Sequence, residues 1–368
     1  MKILDIDRDT LLKPLQAVSG IVERRHTLPI LSNVLIETDG STVKFLATDL
    51  EIQIATDAKL EKPGNRQALT VSARKLQDIL RSLPEGTRVT LDATDAKLVV
   101  RAGKSRFNLQ TLPAQDYPRL AEAAKEGDSL RLPQKQLKAM LQLVQYAMAQ
   151  QDIRYYLNGL LLVVEKGTLT MVATDGHRLA YVTSGIDSGQ EKAELIVPRK
   201  AVLELVKLLA DSDEPVRVEL GAGQVRFAFA GIDLVSKVID GKFPDYGRVI
   251  PAGYKKHITM ARVSLLQALQ RASILSNEKF RGVRWVLSDN SLKIICTNAE
   301  QEEAEEELEV QYAGDALDVG FNISYLLDVL NNLAAEQVDC ALGDANSSML
   351  MTVPGEKAFK YVVMPMRI

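Results

Sequence analysis

The sequence predicts an α+β fold made of three repeated domains, each a helix pair packed on antiparallel sheets. Three observations predict it. Three blocks recur along the chain in a fixed order, two of them carry apolar stripes at helical spacing, and the runs between them alternate with period two and end in turn signals.

The first block is an amphipathic helix: "LLKPLQAVSGIV" from Leu11, "QLKAMLQLVQYAM" from Gln136 and "VSLLQALQRASIL" from Val263. The second is a strand running into a turn: "VKFLATDLEIQI" from Val43, "LTMVATDGHRLAYV" from Leu169 and "LKIICTNAEQEEAEEEL" from Leu292. The third is strand, helix, strand: "LTVSARKLQDILRSLPEGTRVTL" from Leu69, "LIVPRKAVLELVKLLADSDEPVRVEL" from Leu195 and "LDVGFNISYLLDVLNNLAAEQVDCAL" from Leu317. The offset is about 120 to 127 residues, far longer than a solenoid unit, so each repeat is a domain. The expected boundaries are 1–125, 126–253 and 254–368. Leu76, Ile79, Leu80 and Leu83 fall on one helical stripe, as do Ile323, Leu326, Leu327, Leu330 and Leu333. Between helices, "NVLIETDGSTVKFLATD" alternates about Asp39-Gly40, a hairpin turn.

A chain of 368 residues with 46% hydrophobic and 25% charged residues has the composition of a soluble globular protein. No apolar run reaches the roughly 20 residues that cross a bilayer, and the acidic N-terminus lacks a signal-like cleavage site, so the expected location is the cytoplasm. The two cysteines, Cys296 and Cys340, fit buried thiols in a reducing compartment and offer no metal-ligand spacing.

The net charge of −3 argues against a polyanionic partner, but its distribution argues the other way. The helix windows 10–22, 73–83, 135–149, 199–210, 262–275 and 322–333 hold 11 basic residues and 3 acidic ones. Two readings stand open: lysine and arginine as good helix formers on a solvated face, or six helices lining a surface for phosphate. Arg25, Lys75, Lys138, Arg199 and Lys200, scattered and without interleaved aromatics, suit contact that ignores base sequence.

Two further segments are complementary. "RAGKSRFNLQTL" reads as one strand with Arg101, Lys104 and Arg106 near its start and Phe107 and Leu109 after them. "AEQEEAEEELEVQY" concentrates Glu300, Glu302, Glu303, Glu305, Glu306 and Glu307 in the third repeat, continuing a strand. An isolated acidic run is ordinarily a solvated face. Here a basic edge at one end of the array and an acidic edge at the other allow two copies to pair head to tail and close.

An enzyme reading rests on "MVATDGHRLA", which gathers Asp175, His177 and Arg178. No G-x-S-x-G, H-E-x-x-H, P-loop or dinucleotide fingerprint accompanies it. Asp175 recurs as Asp49 and Asn298, whereas His177 is replaced by Glu51 and Glu300, which marks the aspartate as a turn former.

The elements "LLKPLQAVSG", "TLPIL", "QDIRYYLNG", "ATDGHRLA", "SNEKFRGVR", "EQEEAEE" and the terminal "YVVMPMRI" together resemble the bacterial sliding clamps, the DNA polymerase III beta subunits, over essentially the whole chain. The resemblance implies the DNA clamp fold: three clamp domains per protomer and a homodimeric ring around duplex DNA. It implies a non-catalytic processivity factor without a cofactor. Arg25 and Gln151 match the family's DNA contacts. The family's dimer interface maps onto Lys75, Arg101, Lys104, Arg106, Phe107 and Leu109 on one side. On the other it maps onto Ile274, Leu275, Glu300, Glu302, Glu303, Glu305 and Glu306. Lys104 stands where the family usually has arginine, keeping the charge and losing the bidentate fork.

The resemblance also implies one apolar groove per protomer, between the second and third domains, for short linear motifs of partners. Those are the polymerase III alpha subunit, the clamp loader delta subunit, other polymerases and repair proteins. Its first wall maps onto Leu157, Thr174, Gly176, His177, Arg178, Leu179, Pro244 and Val249 in the second domain. The third domain supplies Asn322, Tyr325, Ser348, Val362, Met364, Pro365, Met366 and Arg367. Flexible thioethers at Met364 and Met366 suit a surface that adapts to different side chains. Asn346 replaces an apolar residue of the family's pattern. A scaffold that binds only proteins through this groove is the alternative to a DNA-encircling ring.

Overall fold

Six α-helices occur among the described residues: α1 (Arg8–Ser19), α2 (Ala73–Ser82), α3 (Gln134–Val144), α4 (Arg199–Leu208), α5 (Arg262–Ala272) and α6 (Ile323–Asn332). Three begin where a short polar side chain replaces a missing backbone partner of the first turn. Asp7 accepts the Asp9 N–H, Ser72 the Lys75 N–H and Asn322 the Ser324 N–H. The computed structural model describes residues 2–23, 27–60, 65–94, 96–121, 128–187, 192–221 and 223–368. Arg25 lies outside them.

The chain divides into two compact units, residues 1–137 with 203–238, and 138–202 with 239–368. Two of the three divisions fall inside α3 and α4, and the third follows the Ile232–Lys237 strand. The first unit holds a twelve-stranded antiparallel sheet. Its order is Lys2–Asp7, Arg88–Thr94, Lys97–Ala102, Ser105–Leu112, Gln67–Ser72, Asn33–Thr38, Thr42–Thr48, Ile52–Lys59, Ile232–Lys237, Gln224–Phe229, Pro215–Gly221, Asp128–Pro133. The join between the first and second repeats is an ordinary ladder, with Ile232 opposite Thr56 and Leu234 opposite Ile54.

The second unit repeats that construction. Its eight-stranded sheet runs Lys192–Pro198, Gly159–Glu165, Thr168–Thr174, Arg178–Gly185, Phe359–Val363, Met349–Thr352, Gln337–Leu342, Lys256–Ala261. Leu179 stands opposite Val362 where the second repeat meets the third. A four-stranded sheet, Glu303–Glu309, Ser291–Thr297, Gly282–Ser288, Leu317–Asn322, completes it.

The apolar stripes are buried much as helical spacing requires. Leu76 and Leu80 are in the core while Ile79 and Leu83 are half-buried, and Ile323, Leu326, Leu330 and Leu333 are all buried. Both cysteines are buried and free, and burial pushes the Cys296 thiol up to about 11. Among the described residues no helix is long and apolar enough to cross a membrane.

One expected strand is a hairpin. Arg101 lies on the Lys97–Ala102 strand, while Arg106, Phe107 and Leu109 lie on the next one, Ser105–Leu112. Ala102 pairs with Ser105 across a two-residue turn in which Gly103 takes φ +57°, the conformation glycine adopts without strain.

Candidate functional site

The turn is built three times, each time on an Asp or Asn side-chain oxygen that accepts two backbone N–H groups ahead of it. Asp175 Oδ1 accepts the N–H groups of His177 and Arg178 at 2.9 and 3.1 Å. Asp49 Oδ1 accepts those of Glu51 and Ile52 at 3.0 and 2.7 Å, and Asn298 Oδ1 those of Glu300 and Glu302 at 3.1 and 2.9 Å. Thr174 Oγ1 donates to the Arg178 carbonyl, as Thr48 Oγ1 does to that of Ile52. The other carboxylate oxygen of Asp175 accepts Arg178 Nε at 3.0 Å. Asp175 therefore spends its lone pairs on the fold, which leaves it poorly placed as a general base for His177.

What distinguishes the second copy is Arg178, whose side chain is only 9% exposed. Its Nη1 donates to Asp328 Oδ2 and its Nη2 to the Tyr146 carbonyl, both at 2.6 Å. Its guanidinium carbon lies 4.3 Å from the centre of the Tyr325 ring. Burial works against the charge, and Tyr361, Asp328 and Asp175 outweigh it, so the group's pKa lies above its ordinary value. The first repeat has the buried Ile52 at this position, so no such hub forms there.

Around the hub the chain's end is pinned in place. Met364 N–H donates to the His177 carbonyl at 2.9 Å, and Met366 N–H to that of Gly320 at 2.8 Å. Gly176 has φ +89°, and a Cβ there would stand 2.9 Å from both terminal nitrogens of Arg154. Leu179 and Val362 are buried in a cluster with Leu161, Val163, Val172 and Ile196. Tyr246 and Ile250 pack against it. Met364 is 47% and Val249 45% exposed, and His177, Pro244 and Arg367 are also exposed.

Burial sorts the remaining residues expected to line a groove. Leu157 and Thr174 are buried, while Tyr325, Ser348, Pro365 and Met366 are half-buried. Asn322 caps α6, and Asn346 is exposed in a turn held by Asp344. Phe280, 58% exposed, was not singled out from the sequence. Its segment reaches the start of α6, where Ile323 N–H donates to the Arg281 carbonyl at 2.8 Å. An aromatic held beside charged neighbours in "NEKFRG" carries no periodic signal, and only its exposure reveals it.

The charged edges also take shape. Glu303–Glu309 ends the four-stranded sheet, with alternate residues exposed and half-buried along its length. Lys293 reaches Glu305 at 2.7 Å, Arg271 reaches Glu306 at 2.5 Å, and Asn298 donates to Glu302 at 2.6 Å. Glu300 and Glu303 are exposed. Ile274 is 77% exposed beside the half-buried Leu275. In the first unit, residues 105–110 of the Ser105–Leu112 strand pair on one side only among the described residues. Lys104 and Arg106 are exposed there, Phe107 is half-buried and Leu109 is buried. Arg101 pairs with Asp92 at 3.0 Å.

Among the candidate DNA contacts, Lys75 and Gln151 are exposed and Lys138 and Lys200 half-buried. Gln151 holds φ +57° on the loop before Tyr155. Arg199 donates to the carbonyls of Gln145 and Met148, and burial together with the Arg178 charge lowers its pKa. Several helix cations are similarly engaged: Arg262 donates to the Leu330 and Ala335 carbonyls, and Arg271 pairs with Glu306.

Profiles of the DNA polymerase III beta subunit match the chain in three parts: the N-terminal domain over residues 1–121, the central domain over 131–245 and the C-terminal domain over 247–367. The beta sliding clamp of Pseudomonas putida is 48% identical over 364 residues, covering 99% of both chains. That of Escherichia coli K12 is 46% identical over 363 residues, again covering 99% of both. Among solved structures, the DNA polymerase III subunit beta from Pseudomonas aeruginosa superposes with a TM-score of 0.95 at 47% identity, covering 100% of each chain. A sliding clamp from Bartonella birtlesii bound to griselimycin gives 0.94 at 36% identity, also with 100% coverage.

Proposed function

The chain belongs to the DNA polymerase III beta subunit family, and from that premise we propose that it is a non-catalytic sliding clamp. Two copies, each of three domains over 1–125, 126–253 and 254–368, close into a ring around duplex DNA. Polymerases tethered to the ring then stay on their template. The observation that carries the ring is a pair of backbone stretches open on one side among the described residues, the basic residues 105–110 of the Ser105–Leu112 strand and the acidic Glu303–Glu309. Ladder hydrogen bonds and the apolar Phe107, Ile274 and Leu275 supply affinity. The charges choose partner and register, because exposed ion pairs contribute only about 0 to 1 kcal/mol each.

DNA contact falls to Arg25, Lys75, Lys138, Gln151 and Lys200, with Arg199 acting largely through its field because its Nη1 is turned to the Gln145 and Met148 carbonyls. The cluster around Leu179 and Val362, bordered by Val249, His177 and Met364, receives linear motifs of the polymerase alpha subunit, the clamp loader delta subunit and repair proteins. Burying one or two large apolar side chains there contributes about 1.5 to 3 kcal/mol each, which permits exchange of partners.

Retention on circular versus linearised DNA tests the ring. A topological clamp stays on the circle and is lost from free ends. Equal retention on both, at matched salt, would sink the encircling reading.

A further inference from the structure

The apolar cluster has a positional twin in the first unit. The twelve-stranded sheet repeats the register of the eight-stranded one: Gln53 faces Val235 as Leu179 faces Val362, and Ala55 faces Asp233 as Tyr181 faces Lys360. Even the following segment recurs, since "DYPRL" from Asp116 matches "DYGRV" from Asp245, placing Arg119 and Leu120 where Arg248 and Val249 stand. The twin encloses a cavity of about 420 Å³ over Phe45, Leu46, Ala55 and Val235.

Its polar chemistry is different at matched positions. Glu37 replaces Val163, Gln53 replaces Leu179, and Arg226 replaces Leu350. These side chains tie the segment to the sheet: Arg119 Nη2 reaches Glu37 at 2.6 Å, and Gln53 Oε1 accepts the Leu120 N–H at 2.9 Å. Arg226 is held by Asp233 and Glu219 at 2.6 and 3.1 Å. In the second unit Arg248 instead pairs with Asp245 inside its own turn, leaving Val249 exposed as a wall.

We propose that Glu37, Gln53 and Arg119 are specificity determinants that close this twin against apolar peptides, so that each chain takes one peptide although it builds the receiving surface twice. An incoming leucine or phenylalanine side chain would have to displace the Gln53–Leu120 bond and strand the Glu37 carboxylate under an apolar group. This rests on the groove reading above and adds a cause for its stoichiometry.

The test uses the full chain and a fluorescein-labelled hexapeptide with leucine and phenylalanine as its two apolar residues, carrying a photo-crosslinker. The expected result is one peptide per wild-type chain, cross-linked near Val249 and Met364. The triple variant E37V/Q53L/R119A should take two, the second cross-linked near Leu120. If wild type binds none, the groove reading fails; if wild type binds two, the closure fails. A triple variant that keeps its far-ultraviolet spectrum and its first peptide yet gains no second also overturns the proposal. Should the triple variant fold poorly, Q53L/R119A keeps the Glu37 position intact and must still add cross-links near Leu120.

Discussion

Replacing Arg178 with alanine removes the guanidinium that joins the Thr-Asp turn, the Tyr146 carbonyl and α6. Three bonds disappear, two of them at 2.6 Å, together with stacking on Tyr325. Hydrogen bonds to charged groups contribute roughly 1.5 to 3 kcal/mol each and do not add, while breaking a buried ion pair from one side costs about 3 to 5 kcal/mol. Asp328 is 44% exposed and rehydrates, whereas Asp175 at 15% does so poorly, which puts the loss near the lower bound, about 3 kcal/mol. Arg178→Lys keeps the charge without the fork and should lose about half of that. The assay is urea unfolding followed by the fluorescence of Trp285, the sole tryptophan, buried in the same unit as Arg178. A loss below about 1 kcal/mol for Arg178→Ala would refute the hub, since ordinary surface substitutions stay within about ±0.5 kcal/mol.

His177→Ala should leave unfolding within about ±0.5 kcal/mol of wild type and weaken peptide binding in fluorescence anisotropy; unchanged affinity would remove His177 from the groove. Tyr117→Phe should cost about 1 to 3 kcal/mol in thermal unfolding followed by circular dichroism, because the hydroxyl donates to the Asn33 carbonyl at 3.0 Å and accepts the Thr48 N–H at 3.3 Å. Combining Ile274→Ala with Leu275→Ala should shift sedimentation at low concentration from dimer to monomer; an unaltered profile would place the interface elsewhere. The hydrogen bond to Asp339 raises the His257 pKa, so the contribution of this pair is complete below the unfolded value and fades as pH rises through the folded one. An NMR titration should show the elevated pKa in wild type and a return towards the ordinary histidine value in Asp339→Asn.

Much of the fold was legible because the chain writes it three times. The recurrence of Asp49, Asp175 and Asn298 identified a turn, and the hydrogen bonds bear that out. The hairpin at Gly103 was missed because basic residues on both strands masked the turn, leaving a lone glycine as its signal. The burial of Arg178 was illegible for a different reason: its partners Tyr146 and Asp328 are remote in sequence, and only tertiary packing converts an apparently exposed arginine into a hub. The count of positive charge on helices likewise overstated what is available, since it could not show Arg199 and Arg262 turning to backbone carbonyls.

The joins at Ile52–Lys59 with Ile232–Lys237 and at Arg178–Gly185 with Phe359–Val363 put the repeat and the sheet out of phase by half a period. A gene fragment cut at a repeat boundary therefore does not release a finished module. It yields part of a sheet with a raw backbone edge, and such edges recruit one another. The duplicated piece of sequence and the smallest mechanically complete piece of protein are different objects. Insertions and fusions should accordingly be tolerated in turns such as that at Gly103, and fragments truncated between repeats should aggregate, however cleanly the motifs align.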